Sequence, residues 1–309
     1  MDFAALVAQA AAANPMPMTN VPAPTEGLVV HVDGDYCAYY CAGNDDTNPG
    51  QARRNLLGRL ESVQRASGAT SVLVHLTDRA STKGERFLAA TVKPYQGQRN
   101  SGRKPRNWEV LREYMETYDG DKFAVKNWRT READDGMAYV AHAAAKSGKL
   151  AVIATADKDM RMLPGRHVVW KTMQILDVPF GAFEVIGPES KVYGHKWFWL
   201  QMVQGDTADN IPGIPLKGEA FANALLRDVR CNEDAYAAVI AAYRDKYKDD
   251  YADRFVEQAC LLWLRTDRHA GLLDFTSIMP VSPRVEQACH DMCDRVATLR
   301  AEADELCGG

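Results

Sequence analysis

Arg131-Glu132-Ala133-Asp134-Asp135-Gly136 is the stretch that decides the fold, because it places three carboxylates at the start of a helical pattern. The segment from about 132 to 146 is predicted to be an amphipathic helix, since apolar residues recur at helical spacing: Ala133, Met137, Val140, Ala141 and Ala144. A helix N-terminus favours anions, which accounts for one or two of the acidic side chains. We interpret the whole cluster as half of a divalent-metal site.

The composition is that of an ordinary globular protein. The chain has 309 residues, of which 46% are hydrophobic and 25% charged, enough for one large core or two modest domains. The net charge of -4 does not indicate a nucleic-acid partner by itself. Seven scattered cysteines, an odd number, argue against a disulfide framework and favour a reducing, cytoplasmic compartment.

Two other features of the sequence bound the interpretation. Cys37 with Cys41, and Cys289 with Cys293 beside His290, could be zinc ligands, but the usual ligand spacings are missing and helical packing explains both pairs. Residues 1–26 are rich in Ala, Pro and Met and are predicted to be a flexible leader. We expect no transmembrane segment and no membrane partner.

Strands and helices alternate along the first two thirds of the chain. Short apolar runs predict strands at 28–32, 72–76, 123–125, 151–155 and 167–170. Helical patterns separate several of them, at 51–66, 109–118 and 132–146. This alternation is typical of βαβ units and predicts a mostly parallel sheet.

Carboxylates follow these strands at the edge where such sheets bind ligands. Asp33, Asp78, Asp157 and Asp159 lie just past strand ends, and the helix start at Glu132 should face the same edge. Each of these residues alone could be a turn or cap residue. Together they would repel strongly unless cations bind between them. A further pair, Asp206 and Asp209, is close enough to share an ion if a helical turn joins it.

A basic segment follows the second strand. Between Lys83 and Arg106 there are seven positive charges and one negative charge, and Tyr95 and Trp108 interleave or flank them. A charge run is usually a solvated face. Its predicted place above an acidic metal site favours contact with nucleic acid, because phosphates need cations and unpaired bases need rings to stack on.

These motifs, in this order and spacing, resemble the 5′-nuclease superfamily of flap endonucleases and 5′→3′ exonucleases, most closely the podophage-type exonucleases. The resemblance covers about residues 28–220. Its motifs are Val32-Asp33-Gly34-Asp35, Leu76-Thr77-Asp78 with Arg86 after it, Pro94-Tyr95-Gln96-Gly97-Gln98-Arg99, Glu132-Ala133-Asp134-Asp135, Asp157-Lys158-Asp159, and Gly205-Asp206 through Asp209-Asn210-Ile211-Pro212-Gly213.

The resemblance implies a PIN-like α/β fold. Its mostly parallel central sheet would be flanked by helices, with a helical arch over the site and a C-terminal helical region containing a helix–three-turn–helix DNA-binding element. We therefore expect a leader at 1–26, a nuclease core at 27–194 with the basic arch at about 80–118, and a helical region at 195–309. The helix–three-turn–helix element would occupy residues 211–225.

Site residues are carried over from the superfamily position by position. The first metal group would be Asp33, Asp78, Glu132, Asp134 and Asp135, and the second Asp157, Asp159, Asp206 and Asp209. The resemblance implies catalytic roles for Arg99, Lys93 and Tyr95, with Tyr95 near the 5′-terminal nucleotide and Arg99 on phosphate. The implied DNA contacts are Lys83, Arg86, Tyr95, Arg99, Arg103, Lys104, Gly213 and Lys217.

The chain departs from the superfamily's pattern at two positions. The arch commonly reads Tyr-Lys where this chain has Tyr95-Gln96, so Lys93 or Lys83 is expected to replace that lysine at the scissile phosphate. The helix–three-turn–helix hairpin usually reads Gly-x-Gly, whereas Pro215 replaces the second glycine here. The potassium ion that the hairpin's carbonyls would bind is accordingly less expected.

The resemblance and the carboxylate rim together imply a nuclease that uses two Mg²⁺ ions, with Mn²⁺ able to substitute. Its substrates would be DNA 5′ ends, nicks and flaps, and also RNA in RNA–DNA hybrids. A monomer working with replication proteins, in the host cytoplasm if the chain is phage-encoded, is expected. A PIN-type ribonuclease, a non-catalytic structure-specific DNA-binding protein and a magnesium-dependent phosphatase remain as alternatives.

Overall fold

The computed structural model describes residues 22–97 and 104–307. The strands in this part of the chain are β1 (Thr25–Asp33), β2 (Ala69–Thr77), β3 (Ala124–Trp128), β4 (Val152–Thr155), β5 (Gly165–Val169), β6 (Ile175–Val178), β7 (Val185–Ile186) and β8 (Val192–Tyr193). The helices are α1 (Gly34–Cys41), α2 (Pro49–Ser67), α3 (Arg86–Ala89), α4 (Trp108–Glu116), α5 (Ala133–Lys146), α6 (His195–Gln204), α7 (Glu219–Leu225), α8 (Asn232–Tyr247), α9 (Tyr251–Leu262) and α10 (Pro283–Cys307).

The central sheet has six strands in the order β3-β2-β1-β4-β5-β6. The first five run parallel, and β6 pairs antiparallel with β5. This confirms the predicted α/β class with a mostly parallel sheet, and all five predicted strands are present. The sequence patterns did not predict β6 or the β7–β8 hairpin, because strands of four and two residues are too short to show an alternation.

β1 begins at Thr25, inside the segment that was predicted to be a leader. The Thr25 N–H donates to the Gly68 carbonyl at 2.8 Å, so the chain joins the sheet before the apolar run at Leu28 begins. Backbone hydrogen bonds carry no side-chain signature, which is why the pattern missed these residues. Residues 1–21 lie outside the described part of the chain.

The order of the strands creates a crevice at the carboxyl edge of the sheet. β1 lies between β2 and β4: the chain passes from β1 through β2 to β3 on one side, and then crosses back to β4 on the other side. Open α/β sheets bind ligands at such a switch point. Asp33 ends β1, and its carboxylate accepts the Tyr36 N–H at 3.0 Å, so α1 begins directly at the crevice where the sequence predicted a turn.

Helices cover both faces of the sheet. One core cluster packs β1 and β2 against α1, α2 and α4. The other joins Met137 and Ile153 to Phe198 and Phe255, so it links α5 and β4 to the C-terminal helices. Residues on both sides of the predicted boundary at 194/195 therefore share one core. No described helix has the combination of length and apolar character that is needed to cross a membrane.

The basic segment is mostly irregular where it is described. A 3-10 turn at Lys83–Glu85 leads into α3, which is a single helical turn, and the chain then continues without regular structure to Gly97. Residues 98–103 lie outside the described residues, and α4 follows at Trp108. The segment predicted to be the helix–three-turn–helix element, residues 211–225, consists of an irregular stretch to Gly218 followed by α7, and α6 precedes it.

α5 can approach the sheet because Gly136 has no side chain. A Cβ at this position would collide with the indole of Trp128, whose Nε1 donates to His75 Nδ1 at 3.0 Å. Trp128 ends β3, so this contact sets the distance between the sheet and the helix that carries Glu132 and Asp134.

We expect Gly136→Ala and Gly58→Ala to change stability in opposite directions. Gly136→Ala should lower the free energy of unfolding by about 1–3 kcal/mol, because the rigid indole has to move. Gly58 lies within α2, and a Cβ added there would meet nothing within 4 Å, so Gly58→Ala should raise the same free energy by about 0.5–1 kcal/mol through helix propensity. Urea denaturation of the two variants measures both effects, and equal effects would contradict the close packing of α5.

Candidate metal centre

A cleft at the carboxyl edge of the sheet collects six carboxylates. It has a volume of about 450 Å³ and contains residues from the ends of both β1 and β4. The Thr155 hydroxyl donates to Asp33 Oδ2 at 3.1 Å, which joins the two strand ends. The carboxylates that line the cleft are Asp33, Asp35, Glu132, Asp134, Asp157 and Asp209. All of them except Asp35 are among the predicted metal ligands.

Glu132, Asp134 and Asp135 form a first carboxylate group, with one oxygen from each within 4.8 Å of the others. The group is at the N-terminus of α5, where unpaired helix N–H groups favour anions. Burial raises the pKa of Asp134 well above its usual range, and the charges of Asp135 and Glu132 raise it further. Ionisation of Asp134 is therefore unfavourable unless a cation lies beside it.

Asp135 is fully buried and already holds a cation. Arg86 Nη1 donates to Asp135 Oδ2 at 2.6 Å and Nη2 to Oδ1 at 2.7 Å, and the Arg265 N–H adds a bond of 2.9 Å to Oδ1. Burial acts to raise the pKa of Asp135, but the Arg86 guanidinium outweighs it and the pKa is lowered. Asp135 is thus a partner for Arg86 and does not line the cleft.

The interpretation of Arg86 as a DNA contact is corrected by the same geometry. Its side chain is 2% exposed, and it also donates to the carbonyls of Leu261 and Trp263, at 3.2 and 3.0 Å. A guanidinium with all of these partners in the protein interior cannot reach a phosphate. Position in the sequence alone does not distinguish a buried arginine from an exposed one in a basic segment.

Glu132 connects the first group to the basic segment. Its Oε2 accepts the Tyr95 hydroxyl at 2.8 Å, and its Oε1 accepts the Gln96 amide at 3.1 Å. Lys83 Nζ lies 2.9 Å from Gln96 Oε1 and 3.7 Å from Glu132 Oε1. Gln96 was singled out only as a departure from the superfamily, yet it is the residue that holds Lys83 beside the carboxylates.

Tyr95 does not present its ring for a nucleotide. The residue is 4% exposed, and its hydroxyl, which donates to Glu132, also lies 3.2 Å from Asp209 Oδ2. Burial, together with the charges of Glu132 and Asp209, raises the pKa of Tyr95 well above its usual value, so the phenol stays protonated as a donor. The predicted role near the 5′-terminal nucleotide is therefore corrected, and Tyr95 positions two carboxylates.

Asp159, Asp206 and Asp209 form a second carboxylate group, again within 4.8 Å. Gln201 on α6 donates to Asp159 Oδ1 at 2.5 Å, and Asp206 Oδ1 accepts the Ala208 N–H at 2.8 Å. Asp206 is 2% exposed, and its Oδ2 has no hydrogen-bond partner among the described residues. Burial, followed by the charges of Asp157 and Asp206, raises the pKa of Asp159 well above its usual value.

Asp157 lies close to both groups. Burial raises its pKa to about 6, and the carboxylates of Asp33, Asp209 and Asp206 act in the same direction. Its N–H and Oδ1 make local bonds, to the Thr155 hydroxyl at 3.0 Å and from the Asp159 N–H at 2.9 Å. These turn contacts orient the side chain into the cleft.

Asp78 is not brought into either group. Its Oδ1 accepts the Ala80 N–H at 2.9 Å, and its Oδ2 lies 3.5 Å from Arg129 Nε. Asp35 lines the cleft instead, where it accepts the Thr77 N–H at 3.1 Å and pairs with Arg112. The spacing in Asp33-Gly34-Asp35 could have identified Asp35, since a residue in the first turn after the Asp33 cap stays near the edge of the sheet.

The remaining predicted cations have different surroundings. Lys104 lines the cleft with its Nζ 3.7 Å from the centre of the Trp108 ring, whereas Lys93 is exposed. Lys217 lies over Phe221 at 4.1 Å. Arg99 and Arg103 lie outside the described residues.

Gly213 is buried and uses its backbone inside the protein. Its N–H donates to Gln258 Oε1 at 2.8 Å, and its carbonyl accepts the Tyr247 hydroxyl at 3.2 Å. A Cβ here would also collide with the backbone of Gly205. The predicted direct DNA contact of Gly213 is therefore corrected.

The residues of both groups fit a hard divalent cation. In the described part of the chain, the sets of side chains close enough to share an ion consist of carboxylates alone, without cysteine or histidine. Oxygen ligands of this type suit Mg²⁺ and Mn²⁺. The buried Asp206 Oδ2 without a partner and the raised pKa values both indicate uncompensated negative charge.

We expect Asp135→Asn and Asp134→Asn to affect folding differently, although they are adjacent and chemically identical changes. Asp135→Asn leaves the buried Arg86 without its counter-charge and should lower the free energy of unfolding by about 3–5 kcal/mol. Asp134→Asn removes one of several like charges and should leave stability unchanged or raised in metal-free buffer. Thermal denaturation with EDTA measures this, and equal losses would contradict the assignment of Asp135 to Arg86.

Sequence comparison finds partial relatives of this chain. No protein-family model matches it. It is 30% identical over 145 residues to DNA polymerase I of Bacillus caldotenax, covering 45% of this chain and 16% of the relative. It is 27% identical over 212 residues to the thermostable DNA polymerase I of Thermus thermophilus, covering 66% of this chain and 24% of the relative. The chain thus spans less than a quarter of the length of these curated relatives.

Solved structures match over most of the chain. A flap endonuclease of bacteriophage T5, crystallised with DNA and metal ions, superposes with a TM-score of 0.59 at 13% identity, covering 87% of this chain and 99% of that one. The T5 5′-exonuclease with bound zinc ions superposes with a TM-score of 0.53 at 16% identity, covering 87% and 99%. The chain therefore shares the fold of these two bacteriophage T5 nucleases, as the resemblance of its ordered motifs implied.

Proposed function

We propose that the protein is a divalent-metal-dependent nuclease that hydrolyses phosphodiesters at DNA 5′ ends, as a 5′→3′ exonuclease and flap endonuclease. The observation that carries this proposal is the pair of carboxylate groups that flank one cleft, beside a segment rich in cations. The cleft lacks the Ser, Cys or His nucleophile that covalent hydrolysis would need among its described lining residues. The T5 relatives bind DNA and metal ions, which supports the same class of substrate here.

The carboxylates would hold two Mg²⁺ ions, with Mn²⁺ as a substitute. Glu132 and Asp134 would serve the first site, Asp159, Asp206 and Asp209 the second, and Asp33 and Asp157 the space between them. Bound divalent ions activate water and stabilise a leaving oxygen. Asp78 and Asp135 are left out of this set because neither lines the cleft: Asp78 turns to Arg129, and the buried Arg86 binds both oxygens of Asp135.

Lys83 is the cation best placed to contact a scissile phosphate. It is partly exposed, and Gln96 holds its ammonium beside Glu132, at the first group. This supports Lys83 over Lys93 as the replacement for the lysine that the superfamily has at position 96. An ammonium fixed in advance stabilises charge that develops on the phosphate without having to reorganise.

Aromatic side chains on one wall of the cleft would receive unpaired nucleotides. Tyr36 and Tyr39 on α1 and Trp108 on α4 line it, with Lys104 above the Trp108 ring. Tyr39 is 54% exposed, so its ring is available for stacking. We propose Arg99 and Arg103 as phosphate contacts on sequence grounds, and Lys217, in the helical region at 195–309, as a contact to the duplex backbone.

The decisive experiment uses a 5′-labelled nicked duplex, a matching 5′ flap and an RNA of the same sequence, each with Mg²⁺ and then with EDTA. We expect metal-dependent release of short 5′ fragments from the DNA substrates, and fragment lengths separate exonuclease from flap cutting. Asp157→Asn should bind the flap and not cut it, because it removes a cleft carboxylate without removing a structural partner. Cutting of RNA alone would favour a PIN-type ribonuclease, and tight binding without cutting a structural DNA-binding protein.

We expect Lys83→Met to lower the cleavage rate of the flap by about 10²-fold, in the range observed when one fixed donor is lost from a charged transition state. Lys93→Met is the matched control, since it removes the same charge from the same segment at an exposed position. It should cut at nearly the wild-type rate. Single-turnover kinetics at saturating enzyme measure both cleavage rates. A larger loss of rate in Lys93→Met than in Lys83→Met would assign the role to Lys93.

A further inference from the structure

A lysine ammonium lies beside two members of the second carboxylate group. Lys158 Nζ is 2.5 Å from Asp206 Oδ1 and 4.0 Å from Asp159 Oδ1. It comes from the turn that carries the group, because Lys158 lies between Asp157 and Asp159 and precedes the 3-10 turn Asp159–Met162. The oxygens of Asp159, Asp206 and Asp209 are within 4.8 Å of one another, so the ammonium contacts two of the three carboxylates that could share a cation.

The charge of the group explains why the lysine points inward. Asp206 is almost fully buried, and only Oδ1 of its two oxygens has donors among the described residues. Repulsion among three close carboxylates is reduced by one ammonium but not removed, since two or more negative charges remain. The orphaned Asp206 Oδ2 indicates that the group still lacks positive charge while Lys158 is present.

Lys158 and a divalent ion cannot both contact the same oxygen of Asp206 at the same time. Divalent ions bind carboxylate oxygens at about 2.0–2.6 Å, which is the separation that the ammonium already has from Asp206. Two cations on one oxygen would repel each other at short range. The Lys158 side chain is 34% exposed and rests on a flexible stem, so it has open solvent into which it can turn.

Arg86 shows the contrasting arrangement at the first group. Its planar guanidinium makes two parallel bonds to Asp135 and two more to backbone carbonyls, with 2% of the side chain exposed. That cation is a permanent part of the core. Lys158 makes its short contact through a single ammonium at the rim, which is what an exchangeable counter-ion requires.

We propose that Lys158 is a built-in counter-ion of the second carboxylate group, which neutralises the group when no metal is bound and must be displaced when a divalent ion binds. The inference rests on the proposed function, because it assumes that this group is a metal site. Its consequence is that Lys158 weakens the second ion's affinity: the observed dissociation constant is the intrinsic constant divided by the fraction of molecules in which the lysine has left.

The test is calorimetric titration of the full chain with Mn²⁺ in the absence of DNA. Lys158→Met keeps the length of the stem and removes the charge, and it should lower the dissociation constant of the weaker site by about tenfold or more. Lys158→Arg keeps a positive charge and should bind Mn²⁺ no more tightly than wild type. Lys146→Met is the control for net charge, because this exposed lysine lies at the opposite end of α5 from Glu132.

Thermal denaturation gives a second readout that does not depend on activity. Without metal, Lys158→Met should melt below wild type, because three carboxylates lose their counter-ion. With saturating Mn²⁺ it should recover, so its metal-induced increase in Tm should exceed that of wild type and of Lys146→Met. A dissociation constant that is unchanged or higher in Lys158→Met would overturn the inference and leave the metal site intact. Absence of Mn²⁺ binding in wild type and all variants would overturn the proposed function as well.

Discussion

The buried ion pair between Arg86 and Asp135 ties together the parts of the chain that build the cleft. Arg86 belongs to the basic segment, Asp135 to the first turn of α5, and the carbonyls of Leu261 and Trp263 that share the guanidinium to the end of α9. A buried charge needs its partner, so these three segments have to assemble together. Their assembly also places Glu132 at the edge of the cleft, because Glu132 lies about one helical turn before Asp135.

The rest of the site contains crowded carboxylates and three cations, each of which is held by the protein in a different way. Arg86 is locked in the core, Lys83 is held by Gln96 at the first group, and Lys158 occupies the second group from the rim. Burial raises the pKa of Asp157 to about 6, and the neighbouring carboxylates Asp33, Asp209 and Asp206 act in the same direction. A protein that neutralised all of these charges internally would have no affinity left for metal ions, so the deficit is itself functional in our proposal.

The sequence predicted the site best where the position of a residue follows from the direction of the strands. Parallel strands have to end at one edge, so carboxylates after β1 and β4 and before α5 could be placed together without a structure. It was wrong about side chains whose role depends on burial. Arg86, Tyr95 and Gly213 all belong to motifs that suggest DNA contact, yet their polar groups are used inside the protein. Asp78 follows β2 as predicted, but its side chain turns towards Arg129.

The sequence by itself determined the α/β class, the parallel strands and the set of acidic residues, because hydrophobic periodicity and strand order are local properties of the chain. Only the tertiary structure decided which of those acids face the cleft and which cation each one meets, since these pairings join residues far apart in sequence. The ammonium of Lys158 beside Asp206 is one such pairing. A motif can show that the two residues are present, but the distance between them depends on how α6 and the turn after β4 pack together.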